Sequence, residues 1–182
     1  MSADGKNLNL PIPDGQREIW ASQLSAKLQI TSASLQIRRF VFRMGAEWFG
    51  IEPRVLSLTL PDIRPRQLPH QPDGLVEGLI NADGRIVVCI RMARVWDILP
   101  SPLPPGQNRR ILVLNIEGWT FAIRTEEVLG IEDFLEENIQ PLPMGAPEAL
   151  RRCGQGVAIH QTRAVSLFHA APFAEEVRKK LR

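Results

Sequence analysis

The sequence predicts a mainly β protein built from two small antiparallel barrels, with short helices and an N-terminal helical extension. The stretch Leu75 to Leu99, LVEGLINADGRIVVCIRMARVWDIL, reads as a β-hairpin followed by a short helix. Apolar residues recur through Leu79, Ile80, Ile86, Val88 and Ile90, and Ala82-Asp83-Gly84 supplies the positive φ angles of a tight turn. A similar passage, GVAIHQTRAVSLFHAA, begins at Gly156, so that Gly78 matches Gly156, Arg85 matches Arg163, Val87 matches Val165 and Ile90 matches Phe168. Upstream, RRFVFRMGAEWFGI from Arg38 pairs with RRILVLNIEGWTFAI from Arg109, placing Arg39 over Arg110 and Trp48 over Trp119. One residue of slippage then puts Phe49 over Phe121 and Ile51 over Ile123. The order of elements and the tryptophan spacing read as an internal duplication.

Taken in order, residues 1–37 form an extension that is polar at its start. Asp14 can cap a helix from Gln16 to Ile30, where Trp20, Leu24 and Leu28 repeat at helical spacing. That apolar stripe either packs on the protein's own barrels or serves as a docking helix for a partner groove. Each half then runs strand, turn, strand, third strand (Val55 to Leu60; Val128 to Ile131), connector, hairpin, helix. Four or five short strands separated by turns predict a small barrel, over 38–105 in the first half and 106–182 in the second. Units of this size bury little surface alone and gain by packing together. Pro61, Pro65, Pro69 and Pro72 make the first connector incompatible with a central strand. The run Pro100 to Gly106, PSPLPPG, marks the boundary as a semi-rigid spacer. The end, Ala174 to Arg182, reads as a helix whose Arg178, Lys179, Lys180 and Arg182 suit the negative end of its dipole.

Composition narrows the function classes. Apolar residues are 44% and charged residues 23%, values of an ordinary globular chain. No run of 18 apolar residues and no basic-then-apolar leader occurs, so neither membrane insertion nor secretion is expected. Cys89 within an apolar strand and Cys153 beside a turn do not form a disulfide framework, which points to a reduced, cytoplasmic setting. Basic and acidic residues nearly balance, 22 against 20, and tyrosine is absent. A nucleic-acid face needs excess basic charge and stacking aromatics, so no nucleic acid is expected as a partner. Cys153 and His160 lack metal-ligand spacing, and no nucleophile elbow or phosphate loop occurs. The pairs Glu126–Glu127 and Glu136–Glu137 are adjacent and point apart, as solvated faces do. A chain without a catalytic constellation reads as a binding module rather than an enzyme.

At this point the residues resemble a known family. LVEGLINADGRIVVCIR is similar to the pattern v-x-G-v-i-n-l-R-G-x-i-v-P-v-i-d-L-r of CheW, the coupling protein of bacterial chemosensory arrays. FVFRMGAEWFGIEPRVLSL resembles its opening, ILVLNIEGWTFAIRTEEVLGI its second-half opening, and GVAIHQTRAVSLFHAAPF its close. All four stand in the family's order, from about Arg38 to Arg182. The resemblance implies two intertwined five-stranded Src-homology-3-like barrels and no cofactor. It implies two partners, a CheA-like histidine kinase on the first barrel and a methyl-accepting chemotaxis receptor. The receptor's helical tip would lie in an apolar groove lined near Val55, Ile86 and Val88. Ser57, Asn81, Asp83 and Arg85 complete the binding set by resemblance.

The departures are polar. The family's turn arginine is Asp83 here, its strand glutamate aligns with Ser57, and its hairpin proline is Val88. These changes imply a retuned partner surface, with Asp83→Arg expected to leave the melt nearly unchanged while weakening native binding. A scaffold of a specialised array controlling surface behaviour or pili is the alternative within the fold. A small barrel binding a ligand or nucleic acid is the alternative from another class.

Overall fold

A computed structural model of the chain describes residues 35–69, 74–98 and 109–182. The expected helix with Trp20, Leu24 and Leu28, and the spacer Pro100 to Gly106, lie outside the described residues.

Among the described residues, ten strands follow in chain order. The first half supplies β1 (Gln36–Met44), β2 (Glu47–Ile51), β3 (Leu56–Pro61), β4 (Val76–Ala82) and β5 (Arg85–Ile90). The second supplies β6 (Arg110–Ile116), β7 (Trp119–Thr125), β8 (Glu127–Leu135), β9 (Gly154–His160) and β10 (Arg163–Phe168). A 3-10 turn, Pro53–Val55, precedes β3 and another, Glu136–Asn138, follows β8. Three helices stand among the described residues: α1 (Met92–Val95), α2 (Glu148–Cys153) and α3 (Ala170–Leu181).

The strands form two five-stranded sheets, β8-β1-β2-β10-β9 and β3-β6-β7-β5-β4. Advancing every strand of one half by five positions converts either order into the other, so the fold carries the internal two-fold that the repeat predicts. Each hairpin joins the other half's sheet by a parallel pairing: Cys89↔Ala122 and Ile90↔Ile123 for β5 on β7, and Val165↔Trp48 to Leu167↔Gly50 for β10 on β2. This interlacing corrects the contiguous division of the strands at residue 105. That boundary divides the repeat in the chain, while each sheet takes strands from both sides of it.

Each sheet curls until its edges meet at one two-bond exchange. Arg66 N–H donates to Leu79 O and Leu79 N–H to Arg66 O, both at 2.8 Å. Gln140 and Val157 make the equivalent pair at 2.8 and 2.7 Å. The residue before each exchange is the glycine matched in the repeat. Gly78 and Gly156 have φ of 151° and 155°, and a Cβ there would lie 2.4 Å from Arg66 O and 2.5 Å from Gln140 O. The repeated glycine is therefore a closure requirement, set by backbone passing backbone.

Burial follows from this arrangement. Ile80, Val87, Cys89, Ile111, Val113 and Ala122 fill one barrel; Val41, Phe134, Ala158, Val165 and Leu167 fill the other. The opposite faces of β1, β2, β6 and β7 meet in a third, central cluster. Buried on both faces, these strands read as continuous apolar runs. Trp96, just after α1, sits there with ring centroids 4.9 Å from Phe49, 4.9 Å from Phe168 and 5.2 Å from Phe173.

Three local expectations change. The C-terminal helix starts at Ala170 rather than Ala174, because Glu52 accepts the Ala170 N–H at 3.0 Å from far along the chain. Cys153 ends α2 rather than flanking a turn, a helix of six residues too short to show periodicity. The hairpin alternation also divides differently. The two-residue turn pairs Ile80↔Val87 and Asn81↔Ile86, so Val87 and Cys89 face the barrel interior with Ile80 while Ile86 faces out.

Ala at Gly78 should cost about 3 kcal/mol or more, combining a φ penalty with a backbone clash. Ala at Gly84, whose Cβ would meet nothing within 4 Å, should cost only the left-handed penalty of about 1 kcal/mol. Urea melts of the two variants should differ accordingly, and equal midpoints would show that the seam yields.

Candidate functional surface on the hairpin

The binding set expected from the sequence spreads over the second sheet and divides into three environments. Asp83 and Gly84 form the β4–β5 turn with φ of 51° and 80°, the pair of left-handed residues that a two-residue type I′ turn requires. Asn81 Oδ1 accepts the Gly84 N–H at 2.8 Å and locks that turn. Ser57, Asp83 and Arg85 line a cleft of about 350 Å³ at the barrel's end, floored by Leu58, Val87 and Val113. Asn81 and Ile86 belong to a different cleft, of about 480 Å³, with Ile63, Arg64, Arg66 and Leu79. Val88 is half-buried against the central cluster, and Val55 is buried within it at 8% exposure. Val55 thus positions β3 from within the core.

The second cleft is the distinctive surface. Ile86 is 70% exposed and Ile63 is 40% exposed, beside Leu79. Arg64 and Arg66 border this apolar floor, and Arg85 precedes Ile86. Among the described residues none of the three arginines has a carboxylate within ion-pair reach. Arg124 holds the connector in place beneath. Its guanidinium donates to Asp62 at 2.9 and 3.0 Å and to Glu77, tying the chain after β3 to β4 and β7. Sequence reading missed Ile63, Arg64, Arg66 and Leu79 as a group. The available signal was Ile63 itself, a lone large apolar residue between prolines in a segment otherwise read as connector.

The internal two-fold supplies a comparison inside the same molecule. Leu79 and Ile86 correspond to Val157 and Ala164 in the other half. There Leu142, Pro147 and Leu150 line one cleft with those residues, Val157 half-buried and Ala164 exposed. Among the described residues the first half has the corresponding Leu68-Pro69, and its hairpin carries the larger Leu79 and Ile86 at those positions.

Asp83 tolerates its left-handed φ because short polar side chains do so readily. Arginine there carries a backbone cost of about 1 kcal/mol, so Asp83→Arg should lower stability slightly. Asp83→Asn removes the charge without that cost.

The cysteines are sealed. Burial, reinforced at Cys89 by Glu77, pushes both thiols up to about 12 from an ordinary 9.0. Among the described residues no cluster of His, Cys, Asp and Glu could hold a metal ion, and no helix is long and apolar enough to cross a membrane.

Three comparisons bear on this surface. A family model described as CheW-like domain matches residues 38–177. No curated protein matches the chain. Among solved structures, the scaffolding protein TtCheW from Thermoanaerobacter tengcongensis superposes with a TM-score of 0.59 at 20% identity, over 74% of this chain and 89% of that one.

Native Cys89 and Cys153 should resist a thiol reagent at pH 8 and react once urea unfolds the chain. A folded thiol that keeps its proton more tightly stabilises the fold fully below pH 9, and this contribution is lost between 9 and about 12. Urea midpoints that held constant from pH 8.5 to about 11 would contradict this linkage.

Proposed function

Because the chain belongs to the CheW-like domain family, we propose that it is a non-catalytic adaptor coupling methyl-accepting chemotaxis receptors to a CheA-type histidine kinase in a cytoplasmic array. One observation supports this above others: an apolar surface of Ile63, Leu79 and Ile86 stands open on the hairpin, rimmed by arginines that have no carboxylate within ion-pair reach among the described residues. An isolated apolar patch of this kind marks a protein contact. The internal counterpart indicates its fit, since there the proline-flanked Leu142 and the helix residue Leu150 line the equivalent cleft. A partner segment presenting leucine-like side chains beside carboxylates matches floor and rim together.

The kinase's regulatory domain engages the barrel formed by β3 to β7, and Ser57, Asp83 and Arg85 tune the choice among related kinases. Rim charges act chiefly through encounter and discrimination. The acid at Asp83, where the family pattern carries arginine, favours a dedicated kinase and receptor. The specialised array controlling surface behaviour or pili is the second reading, and Asp83 is the residue that favours it.

Ile86→Asp should weaken binding of a CheA-type regulatory domain or a receptor's cytoplasmic tip at least about tenfold, or about 1.4 kcal/mol. Its melt should change little, because exposed substitutions usually lie within about 0.5 kcal/mol. Calorimetry at high micromolar concentration with no heat from the unmodified chain would overturn the adaptor reading. Equal affinity of Asp83→Asn and the parent in competition would assign that residue to the turn alone.

A further inference from the structure

The cleft of Ile63, Leu79 and Ile86 has walls from distant parts of the chain. One is the connector after β3, which carries Ile63 and Arg64, and the other is β4, which carries Leu79. A single side chain ties both walls together. Arg124 of β7 donates to Asp62, the residue before Ile63, from Nη2 at 2.9 Å and Nε at 3.0 Å. Its Nη1 donates to Glu77, the residue before Gly78. Arg109 adds a longer contact to Asp62 at 3.6 Å. Burial alone would lower the pKa of the Arg124 guanidinium, but Glu77 and Asp62 together raise it above its ordinary value. A planar fork with fixed donor directions holds two carboxylates at a set separation, which a point charge on a flexible stem does not.

The other half provides the comparison. Gln155 precedes Gly156 as Glu77 precedes Gly78, and an arginine holds it too: Arg39 Nη2 donates to Gln155 Oε1 at 2.6 Å. Arg39 reaches no further. Its Nη1 turns back to the carbonyl of Arg38 at 3.0 Å, and its buried Nε has no hydrogen-bond partner among the described residues. Arg124 thus spans both walls of its seam, while Arg39 holds one wall of the other. With both carboxylates engaged, Arg124 lies beneath the cleft rather than lining it. We infer that Arg124 is a positioning residue: by holding Asp62 and Glu77 at a fixed separation it sets the width of the cleft between Ile63 and Leu79, and through that width the affinity of the surface for its partner. Only the affinity rests on the adaptor reading; the spacing does not. A cleft pre-set to one width spares the partner the cost of ordering the connector.

Hydrogen exchange of the full chain, followed by NMR, tests the spacing. In Arg124→Met, which keeps the stem and removes the fork, the Arg66 and Leu79 amides that close this seam should exchange about tenfold faster. The Gln140 and Val157 amides of the other seam should keep their rates. Equal acceleration at both seams, the mark of a general loss of stability, or acceleration at neither, would overturn the inference. Calorimetry with a CheA-type regulatory domain tests the affinity, which should fall about tenfold in the same variant. Combined with Ile63→Ala the loss should be smaller than the sum, whereas with Asp83→Asn, in the other cleft, the effects should add. A loosened seam with the parent's affinity would overturn the inference and leave the adaptor reading standing. A parent that binds no such domain would overturn the adaptor reading, and the amide contrast would still decide the spacing. If Arg124→Met fails to fold, Asp62→Ala, which releases the connector alone, should give the same contrast between seams.

Discussion

Two short parallel pairings, β5 on β7 and β10 on β2, join each hairpin to a sheet begun by the other half of the chain. They are only two and three residues long, and they carry each hairpin's outer strand to the closing seam. Because the hairpin of the first half fills the second sheet, Val87 and Cys89 share a barrel interior with Ile111 and Val113 from beyond the repeat boundary. Because the exchange is mutual, the outward faces of β1, β2, β6 and β7 are pressed together in the central cluster, and Trp96 fills the space between Phe49, Phe168 and Phe173. Neither barrel has a core that one half could supply. The closing glycines at Gly78 and Gly156 follow from this interlacing.

Much of this was legible in the residues. Asp83-Gly84 set the turn, the Gly78/Gly156 and Trp48/Trp119 matches fixed the repeat, and proline density excluded a strand from the first connector. What escaped depended on contacts distant in sequence. Ile86 reads as a core residue in any alternating strand, and only the pairing Asn81↔Ile86 turns it outward. Helix α3 gained its first turn from Glu52, which no local pattern could reveal. The functional set was only partly legible for a similar reason. Resemblance gathered Val55, Ser57, Asp83, Ile86 and Val88 along two strands, but a pleated strand sends neighbours to opposite faces, and the 3-10 turn at Pro53–Val55 buries Val55 outright.

The repeat has conserved backbone devices and diversified their surroundings. Arg39 and Arg110 each donate to the carbonyl of the residue before, at 3.0 and 2.8 Å. Trp48 and Trp119 each lie under a guanidinium, Arg163 and Arg178, at 5.1 Å. Around these shared elements the halves differ where a surface can be used. One hairpin face carries Leu79 and Ile86 beside arginines, and the other carries Val157 and Ala164 in a cleft shared with Leu142 and Leu150. Within one chain the duplicated frame has been kept while its polar exterior has changed, the separation expected when function resides in sites on a common fold.

The same interlacing sets the order of events during synthesis. Trp48 lies near the start of the first sheet, but its parallel neighbour Val165 belongs to the last hairpin. The sheet that opens the described chain therefore stays incomplete until nearly all of it has left the ribosome. Until then the apolar flanks of β1 and β2 remain unpaired on one side and open to wrong strands. Contacts this distant make for slow folding. The second sheet can close earlier, once β7 has emerged to receive the waiting β5. The protein is thus assembled from its middle outward, and its N-terminal strands are the last to be sealed.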